Sequence, residues 1–216
     1  MKSLIIHNKD IEVCSKNLGK LYFDRGNYYF SIKEYNKAIE DYTIAIKLTP
    51  ENSCAYNNRG NCYCIMKIYY SALEDYTKFI ELNPLDSIGF SNRGNCYCKI
   101  KLYTKSIEDC SKAIKLNPNF IDAYNNRGNC FRYIKLYIQS ITDYSKALEL
   151  DSKFEKGYIN RGRCFFEMKK YTRAFEDFNK ALEITKNNMN LINRLKNDSF
   201  NLIIKEKIKI HFNNIW

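Results

Sequence analysis

Between Gly60 and Pro84, apolar residues fall at three- and four-residue spacing in two successive stretches that meet near Lys67. That spacing predicts two amphipathic helices joined by a tight turn, the second stopped by the proline. The same pattern returns along the chain. Arg25-Gly26-Asn27, Asn58-Arg59-Gly60-Asn61, Asn92-Arg93-Gly94-Asn95, Asn126-Arg127-Gly128-Asn129 and Asn160-Arg161-Gly162-Arg163 stand 34 residues apart. A fixed period of this length predicts stacked two-helix units, each too small to bury its apolar face alone. Five units fill 19–188, as 19–52, 53–86, 87–120, 121–154 and 155–188. The rest is a partly helical extension over 1–18 and a C-terminal segment over 189–216.

Each column of the repeat has a packing reason. The glycines Gly26, Gly60, Gly94, Gly128 and Gly162 lie inside a predicted helix, where glycine costs about 1 kcal/mol relative to alanine unless a neighbour needs the space. Small residues at Ala38, Ala72, Ser106, Ser140 and Ala174, and again at Ala45, Ala113, Ala147 and Ala181, predict close approach by the second helix. Pro50, Pro84 and Pro118 are expected to end the second helices, because proline disfavours helix in the residue before it. Phe79 breaks the second small column, and the next repeat has Cys110 where Tyr42, Tyr76, Tyr144 or Phe178 stand elsewhere, which suggests compensated volume.

In the third repeat the pattern reads Phe90, Gly94, Tyr97, Tyr103, Ala113 and Pro118. It resembles the tetratricopeptide repeat family, in register over five tandem units. The resemblance implies an all-α, right-handed α-solenoid whose first helices line a concave groove. The tail extends the pattern: Ile192 and Leu195 fall where Tyr158 and Arg161 do one period earlier. Residues 189–196 are therefore expected to form a sixth first helix capping the array. Phe200, Ile204, Ile208 and Phe212 would line a second.

Composition narrows the class. No apolar run approaches the roughly 18 residues of a membrane span, and nine cysteines without a framework spacing suit a reducing compartment, so a cytoplasmic location is expected. Cys62, Cys96, Cys130 and Cys164 occupy one column two residues after the glycine and read as small buried hydrophobes. The pairs Cys62/Cys64 and Cys96/Cys98 point about 200° apart on a helix and are poorly placed for one zinc ion. His7 and His211 stand alone, and no phosphate loop or catalytic constellation is visible, so neither an enzyme nor a cofactor is expected. Of 18 tyrosines, 15 fall in four packing columns, which favours core over base stacking. Each repeat arginine is followed sixteen residues later by Asp41, Asp75, Asp109, Asp143 or Asp177, a match suited to bidentate pairing between helices.

The net charge of +11 has a location. The expected groove columns hold Lys20, Lys99, Arg132, Lys156 and Arg163 against Asp24, Asp122 and Glu167, nearly a balance. The excess lies in a lysine ridge at the turns (Lys33, Lys67, Lys101, Lys135, Lys169) and in a basic tail with Arg194, Lys196, Lys205, Lys207 and Lys209. Nucleic acid or another anionic surface is the partner such an edge would suit.

The groove's conspicuous chemistry is amide. Asn58, Asn92, Asn126 and Asn160 form one column, and Asn27, Asn61, Asn95 and Asn129 a second. A carboxamide offers a donor and an acceptor, so a ladder of them can grip the main chain of an extended peptide; it can equally bond turn to turn. The arrangement resembles the asparagine ladder of O-linked N-acetylglucosamine transferase repeats. Asn57, Ile88, Asp122, Arg132 and Phe166 would then set selectivity. The carboxylate clamp of chaperone-binding tetratricopeptide domains fits less well, because Phe23 and Ile88 stand where it needs lysines and Asn92 where it needs arginine. The expected function is a non-enzymatic adaptor for a protein or peptide ligand in the groove.

Overall fold

A computed structural model describes residues 2–184 and 189–213, with side chains over 13–184 and 190–205. The helices are α1 (Lys2–Ser31), α2 (Tyr35–Leu48), α3 (Ser53–Ile65), α4 (Tyr69–Leu82), α5 (Ser87–Lys99), α6 (Tyr103–Leu116), α7 (Ile121–Tyr133), α8 (Tyr137–Leu150), α9 (Glu155–Glu167), α10 (Tyr171–Ile184) and α11 (Met189–Asn213). No strand occurs among the described residues. The chain divides into two compact units, Met1–Leu102 and Tyr103–Trp216. In each, every helix packs on the next in sequence, and first helices of successive repeats also touch, α1 on α3 and α3 on α5 in one unit, α7 on α9 in the other. This tandem helix-turn-helix packing is the expected all-α solenoid class.

Side-chain volume explains the columns. A Cβ on Gly128 would come within 2.8 Å of the Tyr144 ring, and one on Gly26 within 2.7 Å of Tyr42. The ring of the second helix thus lies directly on the backbone of the first. Tyr42, Tyr76, Tyr144 and Phe178 are consequently among the most buried side chains. The three tyrosines outside the packing columns, Tyr28, Tyr70 and Tyr133, are the exposed ones. Phe79 has its own accommodation: a Cβ at Gly89 would meet its ring at 2.5 Å, so the space for this large residue is made by Gly89, at the start of the following helix.

The turn inside each repeat has one geometry. Lys33, Lys67, Lys101, Lys135 and Lys169 all take φ between 60° and 65°, the left-handed region that favours glycine. At Lys67 the lysine N–H donates to the Cys64 carbonyl at 3.1 Å and the Ile68 N–H to Tyr63 at 2.8 Å. This is the paired closure of a Schellman motif, and the same pair of bonds closes the other four turns. The sequence ridge of lysines is therefore a row of helix C-terminal caps.

The residues before Pro50 and Pro84 have left the helical conformation as expected, and one second helix ends at the same place without a proline. α2, α4 and α6 stop at Leu48, Leu82 and Leu116, two residues before their prolines, and α8 stops at the equivalent Leu150 with Ser152 in the proline column. The shared feature is a non-helical C-cap: Thr49, Asn83 and Asp151 take φ between −136° and −142°, each still closing the last helical bond through its N–H.

The C-terminal segment differs from the expected helical pair. α11 runs unbroken from Met189 to Asn213. The glycine column holds Lys196 here and the left-handed turn column holds Ile203, a β-branched residue that resists positive φ, so nothing breaks the helix. Its first turns pack on α10. Ile192 is fully buried with Phe165, Ala174, Phe178 and Ala181, Leu195 packs beside them, and Phe200 meets Phe175 at 5.9 Å between ring centroids. The side chains of His7, His211, Lys207, Lys209, Ile208 and Phe212 lie outside the described residues.

Candidate functional site

Arginine staples hold the first helices in place. Arg127 Nε and Nη2 donate to Asp143 Oδ2 and Oδ1 at 2.9 and 2.7 Å, and Arg25/Asp41, Arg59/Asp75 and Arg161/Asp177 repeat the fork. The remaining Nη1 reaches the preceding repeat: Arg59 to Thr43, Arg93 to Thr77, Arg127 to Ser111 and Arg161 to Ser145, at 2.9 to 3.1 Å. Aromatic rings flank the guanidinium, Tyr124 and Phe131 each at 5.9 Å from Arg127. Burial raises the Asp75, Asp143 and Asp177 carboxyls above the ordinary carboxylate range, and their arginines pull them part of the way back.

On this frame the asparagines are half engaged. In the inner column, Asn27, Asn61 and Asn129 each accept a tyrosine hydroxyl on Oδ1, from Tyr42, Tyr76 and Tyr144, all at 2.8 Å. Burial pushes those phenols up, so they remain donors and fix which way each amide points. In the outer column the opposite end is used. Asn58 Nδ2 donates to Asn27 Oδ1 at 2.9 Å, Asn92 to Asn57 Oδ1 at 2.9 Å and Asn160 to Asn125 Oδ1 at 3.0 Å, each bond joining successive first helices. Asn126 is half-buried on α7. Asn95 is half-buried on α5, with no side-chain bond among the described residues; its repeat has Cys110 where a tyrosine hydroxyl would stand.

The residues expected to set selectivity are less uniform. Asn57 is tied up at both ends, accepting from Asn92 and donating to Asn58 at 3.3 Å. Ile88 and Asp122 are exposed on the first turns of α5 and α7. Phe166 is half-buried, edge-on to Tyr171 at 5.4 Å. Arg132 donates to Glu167 at 2.9 Å and stacks over Tyr133 at 4.7 Å, so two charges of successive first helices cancel as a pair; its Nε is buried without a partner. Among the described residues no cluster of three or more His, Cys, Asp or Glu side chains is placed to hold a metal ion, and no helix is long and apolar enough to cross a membrane.

Models of the tetratricopeptide repeat match residues 53–85, 87–120, 121–154 and 155–188, and a second TPR repeat model matches 19–64. The chain belongs to the tetratricopeptide repeat family. No curated protein matches its sequence. Solved tetratricopeptide structures resemble it in fold. PilW, a type IV pilus biogenesis factor, superposes with a TM-score of 0.76 at 16% identity over 92% of this chain and 94% of PilW. TTC0263, a thermophilic TPR protein of Thermus thermophilus, gives 0.70 at 14% identity, over 86% and 99% of the two chains. YrrB, described as a TPR protein with an unusual peptide-binding site, gives 0.63 at 22% identity, over 82% and 90%. A tetratricopeptide array of this kind is a scaffold for protein interaction.

A signal for the amide geometry was present in the sequence as a second spacing. Each inner asparagine precedes a tyrosine by fifteen residues, except Asn95 with Cys110, and where the tyrosine becomes Phe178 the asparagine becomes Arg163. Asn125, buried and the acceptor for Asn160, lies outside both columns and carried no such mark.

Proposed function

We propose that the chain is a non-enzymatic adaptor that holds an extended polypeptide segment along its first helices. The observation that carries this reading is the division of labour between the amide columns. Asn27, Asn61 and Asn129 have Oδ1 fixed by a hydroxyl, which leaves an oriented Nδ2 donor; Asn92 and Asn160 have Nδ2 fixed, which leaves an oriented Oδ1 acceptor. Oriented donors and acceptors in successive repeats match a peptide main chain, which offers one of each per residue. The peptide-binding site named for YrrB gives this reading a precedent within the fold.

Asn27→Asp, Asn61→Asp and Asn129→Asp together keep the acceptor for each tyrosine hydroxyl and remove the donor. With about 1 kcal/mol per hydrogen bond, peptides selected on the parent chain from a displayed random peptide library should bind the triple variant about a hundredfold more weakly. Its melting temperature should stay close to the parent value. Unchanged peptide affinity would place binding elsewhere on the chain.

A second reading rests on the turns. A residue with a side chain costs roughly 1 kcal/mol in the left-handed region relative to glycine, yet all five turns hold lysine there. Keeping a charge where the backbone favours glycine supports an edge used against a polyanion. Lys135→Gly with Lys169→Gly should stabilise the chain by about 1 kcal/mol per site and lower the salt at which it leaves heparin. Elution at the parent salt concentration would remove this reading.

A further inference from the structure

The tip of the α7–α8 hairpin, in the unit Tyr103–Trp216, exposes apolar side chains and charge together. Tyr133 closes α7, Ile134, Lys135 and Leu136 make the turn, and Ile138 lies in the first turn of α8. All five are exposed, Ile138 by 62% and Tyr133 by 53%. Single apolar residues on a surface are ordinary, but Tyr133, Ile134, Leu136 and Ile138 fall within one turn and form a patch. Local stability favours neither residue type found there. Lys135 takes a φ of 62°, where glycine is favoured. Leu136 is the N-cap of α8, where a serine, aspartate or asparagine side chain would bond a free N–H, and it makes no such bond.

The neighbouring tip supplies charge. Arg132, in the last turn of α7, donates to Glu167 at the end of α9 at 2.9 Å, so the tips of these two repeats lie side by side. Where the first tip is apolar the second is cationic: Lys169, Lys170 and Arg173 are exposed there, and the Glu167 carboxylate is engaged by Arg132.

We propose that this paired tip docks on an anionic lipid bilayer, with Ile134, Leu136 and Ile138 entering the interface and Lys135, Lys169 and Lys170 meeting the lipid head groups. The proposal rests on the reading of the lysine turns as an edge for a polyanion, and it names the polyanion. A nucleic acid would favour further cations at these positions and gains little from exposed aliphatic side chains. A bilayer interface takes both, apolar side chains into the acyl boundary and lysines against its negative surface. Lysine suits that boundary, since its stem lies along apolar surface while the ammonium stays in water. In the unit Met1–Leu102 the α3–α4 tip has the same make-up: Ile65, Ile68 and Tyr70 are exposed around Lys67, and Ile68 is an N-cap without a side-chain bond.

The test is sedimentation of the full chain with vesicles of phosphatidylcholine alone or with about 30% phosphatidylserine, at about 0.1 M salt. The chain should sediment with the phosphatidylserine vesicles only, and release at about 0.5 M salt. Ile134→Gln with Ile138→Gln keeps every cation. It should bind those vesicles about tenfold more weakly while leaving heparin at the parent salt concentration and melting near the parent temperature. Ile138→Gln alone, at the most exposed of these positions, should weaken binding about threefold, and it decides the matter if the double variant melts early. Adding Ile68→Gln and Tyr70→Gln to the double variant should bring sedimentation to the phosphatidylcholine level. Parent-like sedimentation of the glutamine variants would overturn the membrane proposal and leave the polyanion edge standing. Equal sedimentation with both kinds of vesicle, or with neither, would overturn it as well. Failure of the underlying reading shows separately, as unchanged heparin elution of Lys135→Gly with Lys169→Gly.

Discussion

Replacing Arg127 with methionine should destabilise the chain by about 3–5 kcal/mol at neutral pH, the range for breaking a buried ion pair from one side. The guanidinium makes two bonds to Asp143 and one to Ser111 and lies between Tyr124 and Phe131, so the substitution strands a carboxylate that is itself 4% exposed. The loss should depend on pH with a definite sign. Burial already raises the Asp143 carboxyl, and Arg127 is what opposes the rise. Without it the folded-state value climbs further above the unfolded one. The folded variant then holds its proton at pH values where the unfolded chain has released it. Its penalty is full above the raised value and shrinks as pH falls toward the ordinary carboxylate range, where both states are protonated. Urea denaturation at about pH 7.5 and about pH 4.5 should therefore show the smaller difference from the parent at the lower pH. Arg127→Met with Asp143→Leu should recover much of the loss, since it removes the stranded charge as well. A loss of the same size at both pH values would mean that the pair acts through packing alone.

Ile192→Asp should release α11 from the array. Ile192 is the fully buried contact of α11 with Phe165, Phe178 and Ala181, and a carboxylate there would lie in an apolar cluster. The expected result is a loss of at least about 3 kcal/mol, with a lower melting temperature and exposure of the α10 face. Helical signal should fall by up to the 25 residues of α11, and the variant should self-associate on size-exclusion chromatography. Ile192→Val, which removes one methylene, should cost about 1 kcal/mol and keep the helix docked. A melting curve unchanged by the aspartate would show that the helix contributes nothing to the end of the array.

The 34-residue period made much of this fold legible because a solenoid repeats its contacts with its sequence. Arg59 and Asp75 could be paired from spacing alone, since both belong to one repeat and sixteen residues carry the chain once around its turn. Cys62 and the tyrosine columns could be placed in the core for the same reason. Features that depend on how one repeat meets the next were harder to read. Gly89 falls in a small-residue column with Ala55, Ala123 and Gly157, but the Phe79 ring that lies against it comes from the preceding repeat. The asparagines could be placed on one face, but which end of each amide was committed to a neighbour depends on distances of a few ångströms between helices. A helical pair was expected over α11 because apolar positions continued the pattern, whereas the outcome turned on Ile203, which resists the conformation that Lys169 takes one period earlier.

The reach of each arginine into the preceding repeat also gives the chain a direction. Arg59, Arg127 and Arg161 are 17 to 22% exposed and tie two repeats each, whereas Arg25 is 54% exposed, bound to Asp41 with no earlier hydroxyl bonded to it among the described residues. Neighbouring repeats behave as coupled elements of a one-dimensional lattice in which the coupling terms face backward. Among the described residues the first repeat receives such a tie from Arg59 and makes none through Arg25, so its amides are expected to exchange faster than those of the second repeat.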